Sequence, residues 1–238
     1  MKVFAIADLH LSFSTDKPMD VFGEKWENYE AKIKENVANV VGEDDLLLIA
    51  GDLSWAMQID ETEADFNYIG SLKGKKIVVR GNHDYWWKSI SGVREKLEPL
   101  GVYALQNDCV KFGNIIVAGT RGWVVPEAGK GMGEQDQKIY NRELIRLEMA
   151  LESASKMRVE GDVVIAVLHY PPFNSTLDDS DFTKLLEKYG VQYCVYGHLH
   201  GKTKYNAGTA QKNGISYFLS SCDKIGFQPI LVMQTKES

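Results

Sequence analysis

All five histidines of this 238-residue chain stand in short clusters of metal-binding residue types, and each cluster directly follows an apolar run. In chain order the clusters are Asp8-Leu9-His10, Gly51-Asp52, Gly81-Asn82-His83-Asp84, His169 and Gly197-His198-Leu199-His200. Histidine is the commonest protein ligand of catalytic transition metals, and the side chain most readily poised to pass a proton near neutral pH. Three or more imidazoles, two carboxylates and one amide oxygen exceed what a single tetrahedral zinc needs. They suit two metals sharing a bridging carboxylate. Taken singly, each residue has a plainer reading: a histidine is more often a satisfied polar group, and Asp8 or Asp52 could end a strand in a turn. Those readings leave five coincident placements unexplained.

Placing the clusters together is the work of the elements before them. Apolar runs of strand length cover Lys2 to Ala7, Asp45 to Ala50, Lys76 to Val79, Asn114 to Ala118, Val163 to Leu168 and Val191 to Tyr196. They are nearly continuous, as in strands covered on both faces. From Lys25 to Val41, Trp26, Tyr29, Ile33, Val37 and Val40 recur at helical steps and predict one buried stripe. Further helices are expected over Glu61 to Leu72, Lys88 to Leu97, Lys138 to Ser155 and Asp181 to Tyr189. This alternation indicates an α/β protein, and ligand sites in open α/β sheets form at the carboxyl ends of strands, where every cluster lies. After Gly201, short runs at Lys202 to Tyr205, Ile215 to Ser220 and Ile230 to Gln234 predict antiparallel strands extending a sheet at its C-terminal edge. The segment from Arg121 to Gln137 is long and irregular with four glycines, and reads equally as a lid or a surface excursion.

The length suits one domain over residues 1–238, and 44% hydrophobic with 25% charged residues is ordinary for a globular chain. No apolar stretch reaches the roughly 18 to 20 residues that cross a bilayer. The N-terminal run is read as a first strand rather than a signal peptide, because Asp8 and His10 interrupt it early. Cys109, Cys194 and Cys222 show no paired spacing and read as buried thiols in a reducing compartment, hence a cytoplasmic expectation. A net charge of −6 argues against general nucleic-acid affinity, but bound divalent ions can reverse the charge locally and admit a phosphate substrate.

In order and spacing, the blocks from Asp8 to His200 resemble the calcineurin-like metallophosphoesterase superfamily: Asp-x-His, Gly-Asp, Gly-Asn-His-Asp, a lone His, then Gly-His-x-His. The resemblance implies a four-layer α-β-β-α sandwich of two mixed sheets, with the metal site at the C-terminal ends of strands. It also implies ligand roles. Asp8, His10 and His200 would hold the first metal, Asp52 would bridge, and Asn82, His169 and His198 would complete the second. His83 would be the proton donor to the leaving oxygen, and Asp84 could orient it or serve as a turn carboxylate. The implied activity is phosphoester hydrolysis by direct attack of a metal-bridging hydroxide, on a small phosphodiester or phosphomonoester such as a nucleotide. Mixed oxygen and nitrogen donors without thiolate suit Mn, Fe or Zn.

Gly51-Asp52-Leu53-Ser54-Trp55 lacks the Asp-Arg-Gly continuation of the serine/threonine phosphatase branch, and Asp84 stands where that branch carries Glu. Both differences disfavour phosphoprotein substrates and bring the chain nearer to compact bacterial phosphohydrolases. Trp55, Trp86 and Tyr170 adjoin the motifs and could stack on a nucleobase, with core packing as the alternative. Arg121, beside Gly119 and Gly122, could clamp a phosphate; Arg80 could do so or form a salt bridge. Two rivals stay open. A nuclease of the superfamily requires a basic open groove. A non-catalytic interaction module would be expected to have lost ligands that are all present here.

Overall fold

The computed structural model describes residues 1–201 and 209–235. The chain runs β1 (Lys2–Ile6), α1 (Tyr29–Val40), β2 (Leu46–Ile49), α2 (Glu63–Ser71), β3 (Lys75–Val79), α3 (Ile90–Leu97), β4 (Val102–Leu105), β5 (Asp108–Phe112) and β6 (Ile115–Gly119). It continues through α4 (Glu134–Met157), β7 (Val163–Val167), α5 (Asp181–Lys188), β8 (Tyr193–Tyr196), β9 (Thr209–Lys212), β10 (Ile215–Leu219) and β11 (Ile230–Gln234). One sheet has the order β11-β1-β2-β3-β4, the other β5-β6-β7-β8-β10-β9. Neighbours from β1 to β4 are parallel, as are those from β6 through β7 and β8 to β10; β11, β5 and β9 pair antiparallel at the edges. Both sheets are therefore mixed.

The period-2 geometry of strands explains the layering. On β1, Val3 and Ala5 point to one face and Phe4 and Ile6 to the other. The first pair joins Leu46, Leu48, Ile77 and Val79 against Val117, Ile165 and Val167 of the second sheet, forming a core between the sheets. Phe4 and Ile6 instead meet Ile33, Val37, Phe66 and Val93 of α1, α2 and α3. On the far side, Ile116, Ala118 and Val164 pack on Leu147, Leu151, Phe182 and Leu186 of α4 and α5. Three apolar cores separate four layers, α-β-β-α. This is why the strands read as unbroken apolar runs: both faces are covered.

Several sequence expectations are corrected. The helix expected over Lys25 to Val41 starts only at Tyr29, because Asn28 sits in the left-handed region at φ 51°. Before it, short 3-10 turns at Met19–Phe22 and Glu24–Trp26 carry Trp26 out of the helix. The C-terminal strands do not extend one sheet: β10 pairs parallel to β8 in the second sheet, while β11 crosses to β1 in the first. The strand expected at Lys202 to Tyr205 lies outside the described residues. Helix α4 begins inside the segment read as irregular, and the remainder is tied down: Asn174 donates to the Pro126 carbonyl at 3.3 Å and the Ser175 N–H to Glu127 at 3.2 Å.

The two sheets are joined at the end that carries the clusters. Ala7, just past β1, donates to the Ser220 carbonyl at 2.7 Å and accepts from the Cys222 N–H at 2.9 Å. These bonds set the end of β1 beside the end of β10.

Candidate metal centre

Each cluster begins two or three residues beyond its strand. Asp8 follows β1, Asp52 follows β2 and Asn82 follows β3, all on one edge of the first sheet; His169 follows β7, and His198 and His200 follow β8 in the second. The backbone turns sharply here. Asp8, His10, Asp52 and His198 have φ of 60°, 47°, 52° and 72°, a region that costs L-residues about 1 to 3 kcal/mol each. Ladder-like bonds hold them in it: Asp8 N–H to Gly51 O at 2.9 Å, His10 N–H to Asp52 O at 3.0 Å and Leu11 N–H to Leu53 O at 3.0 Å. Gly197 allows a close approach, since a Cβ there would lie 2.6 Å from both Ala7 Cβ and Asp8 Oδ2.

The seven expected ligands converge. His10 Nε2 faces His200 Nε2 at 3.4 Å, and His200 Nε2 lies 3.5 Å from Asp8 Oδ1. Asp52 Oδ2 lies 3.8 Å from His10 Nε2 and 3.5 Å from His169 Nε2. Asn82 Oδ1 meets His169 Nε2 at 2.7 Å and His198 Nδ1 at 2.9 Å. Two ligand groups share this space, Asp8–His10–His200 and Asp8–Asp52–His169. Asp8 approaches His169 through Nδ1, at 3.9 Å, but that nitrogen faces the Ala50 carbonyl at 2.9 Å, which leaves Nε2 turned toward Asp52 and Asn82. Ring nitrogens and carboxylate oxygens turned toward one another in a buried space are a donor set suited to divalent cations. The residues fit two such ions.

Electrostatics point the same way. Burial, with the neighbouring histidines, depresses His10 to about 3 and His198 to about 4, and lowers His169, so these rings are neutral and their lone pairs free to ligate. Burial opposes charge on Asp8, yet the surrounding imidazoles outweigh it and hold this carboxyl well below the usual range. Asp52 is pushed up to about 8 by burial and by the charge of Asp8. Burial would lower His200 too, but hydrogen bonds to Asp223 and Asp8 raise it to about 10.

Asp223 is the residue that sequence reasoning missed. Its Oδ1 takes His200 Nδ1 at 2.9 Å and its Oδ2 takes Lys25 Nζ at 2.7 Å, a carboxylate that fixes the tautomer and tilt of a ligand histidine. It lies just past β10, and applying the strand-end rule to that strand would have pointed to it.

His83 places its ring 4.5 Å from Trp55 and 5.6 Å from His10, while its N–H donates to Asp52 Oδ1 at 2.8 Å. Asp84 does not orient it. Its carboxylate accepts from the N–H groups of Leu53, Ser54 and Gly81 at 2.8, 3.2 and 2.7 Å, so it ties the β2 and β3 loops together, the turn alternative. Trp86 is a correction: fully buried, it packs on Phe66 and Trp87 and cannot meet a substrate. Tyr170 is also buried, with its ring 4.2 Å from His198. Arg121 Nη2 meets buried Glu143 at 3.2 Å and the guanidinium lies over the Trp123 ring. Trp55 alone of the proposed aromatics reaches open space, stacked on His10 at 4.8 Å and 19°.

The model of the calcineurin-like phosphoesterase family matches residues 1–202. No curated protein sequence matches the chain. Among solved structures, the phosphopantetheinyl hydrolase of Mycobacterium tuberculosis is similar at 15% identity and TM-score 0.54, over 92% of this chain and 88% of that one. A protein of Thermus thermophilus is similar at 12% identity and TM-score 0.53, over 96% of each chain. These likenesses are of fold. The family match spans every cluster and coincides with the converged donors: this chain belongs to the calcineurin-like phosphoesterases and is a metal-dependent phosphoesterase.

Proposed function

We propose that the chain, a single domain over residues 1–238, hydrolyses a small phosphodiester or phosphomonoester with two divalent ions of Mn, Fe or Zn. The observation that carries this reading is that two ligand groups sharing Asp8 converge, with Asp52 Oδ2 within 3.8 Å of His10 and 3.5 Å of His169. Asp8, His10 and His200 would hold one ion and Asn82, His169 and His198 the other, with Asp52 shared. When bound, the ions supply positive charge to the phosphoryl oxygens and lower the pKa of water.

The chain's own groups do the rest. Neutral His10, His169 and His198 present lone pairs without a competing proton. Asp223 keeps His200 Nδ1 occupied, so that Nε2 faces the centre. His83 carries the proton for the leaving oxygen; its Nδ1 is buried without a hydrogen-bond partner, and its ring is held against Trp55 and Tyr85 above a peptide anchored on Asp52. Direct attack of water agrees with the seven converged residues, none of which is a serine or cysteine. A cytoplasmic setting is supported by three unpaired cysteines, and no helix among the described residues is long and apolar enough to cross a membrane.

Reconstitution with each metal, followed by metal analysis and a panel of phosphate mono- and diesters, tests the reading. Two ions per chain and hydrolysis of at least one ester class are expected. One ion per chain, or two ions without hydrolysis of any ester, would overturn it.

A further inference from the structure

A cavity of about 450 Å³ opens beside the centre, on the side of His10 and His200. Its lining joins His83 and His200 to the apolar side chains of Met19, Phe22, Trp26 and Trp55, with the Trp55 ring 4.5 Å from His83. Met19, Phe22 and Trp26 come from the two 3-10 turns before α1, the second of which stands where the helix was expected to start, and Trp55 comes from the loop after β2. This apolar lining is braced: Trp55 Nε1 donates to Met19 Sδ at 3.3 Å, and the Trp26 ring meets Phe227 at 5.2 Å with planes 76° apart. Phe22, by contrast, stands 65% exposed at the mouth. Two cations stand close by, Lys25 in the lining and Lys17 with Nζ 4.8 Å over the Trp55 ring.

We propose that this cavity binds the leaving alcohol of the substrate, and that this alcohol carries a flat aromatic ring of the aryl or nucleobase kind. The inference rests on the hydrolase reading above. His83 lines the cavity, so a leaving oxygen within its reach points the rest of the alcohol into that space. A phosphate bearing a small alcohol leaves most of 450 Å³ unfilled, whereas a ring meets aromatic surface on half-buried Trp55 and exposed Phe22, backed by buried Trp26. Phe22 is the specificity-determining residue that a ring would cover.

The test compares methyl, cyclohexylmethyl and benzyl phosphate esters, whose alcohols have closely similar acidity, so that the chemical step is matched. For the manganese-loaded protein, kcat/KM for the benzyl ester should exceed that for the methyl ester by roughly tenfold or more, with cyclohexylmethyl between. Phe22→Ala should reduce the benzyl-to-methyl ratio several-fold, and Phe22→Trp should keep it. Calorimetry with methyl- and benzylphosphonate, which are not turned over, should show the same order of affinity. Hydrolysis of all three esters at equal efficiency, or equal affinity for the two phosphonates, overturns the pocket and leaves the hydrolase standing. A cyclohexylmethyl ester as good as the benzyl ester overturns the aromatic occupant. Failure to hydrolyse any ester with two metals bound overturns the hydrolase reading itself, and the phosphonate pair then decides the pocket separately.

Discussion

His83 is anchored to the centre through its peptide and free of it through its ring. Its N–H holds Asp52 Oδ1, while the imidazole faces the cavity. His83→Ala should therefore leave metal content near wild type and depress turnover roughly a hundredfold to ten-thousandfold, most on alkyl esters. Equal loss on activated aryl esters would tell against proton donation. Asp52→Ala removes the oxygen between His10 and His169, so occupancy of both metal positions should drop together; two tightly held ions in that variant would reject the bridge. The metal-free protein should also respond to pH in a defined direction. Asp52, at about 8, and His200, at about 10, hold protons in the folded state that the unfolded chain has already released. Unfolding free energy should thus decline from pH 7 toward pH 10. Metal must displace those same protons, so its affinity should climb over the same window. The rise in melting temperature on adding manganese is expected to be larger at pH 9 than at pH 7. A gain independent of pH would mean these groups are already deprotonated.

At the scale of elements, the site depends on turns more than on strands. The loop after β8 passes so near β1 that Gly197 has no room for a side chain. Gly197→Ala should force Asp8 and His198 apart, with a loss of about 1 to 3 kcal/mol in urea unfolding and a tenfold or greater fall in metal affinity. Wild-type affinity would show that the loop absorbs the methyl group. The segment before α1 shows the limit of periodicity. Trp26 fits the helical stripe with Tyr29 and Ile33, yet a left-handed Asn28 diverts it to the cavity wall. Hydrophobic spacing records that a residue is buried, and is silent about which of two apolar surroundings buries it. The antiparallel edge strands β5 and β9 escaped notice for a related reason: half-exposed and mixed in character, they carry no continuous apolar run.

At the scale of the molecule, the centre straddles two sheets. Asp8, Asp52 and Asn82 come from the first, and His169, His198 and His200 from the second, so their spacing is set by the core between. Leu48 is fully buried in that core. Leu48→Ala should cost about 2 to 5 kcal/mol in unfolding of the metal-free protein and should also weaken metal binding, because the two halves lose their common support. Destabilisation with undiminished metal affinity would show that the inter-strand bonds at Ala7 suffice to fix the distance.

The residue types and their order were enough to indicate the reaction class, the candidate ligands and the strand ends at which they meet. That information is local: a ligand follows a strand, and strands announce themselves by apolar runs. Tertiary structure alone decided the rest. It put Asp223 behind His200, sealed Trp86 in the core, gave Arg121 to Glu143 and Asp84 to three backbone N–H groups, and opened the cavity beside His83. Most of these are pairings between residues distant in the chain. Such pairings depend on how the sheets face one another, which no spacing within a single segment encodes.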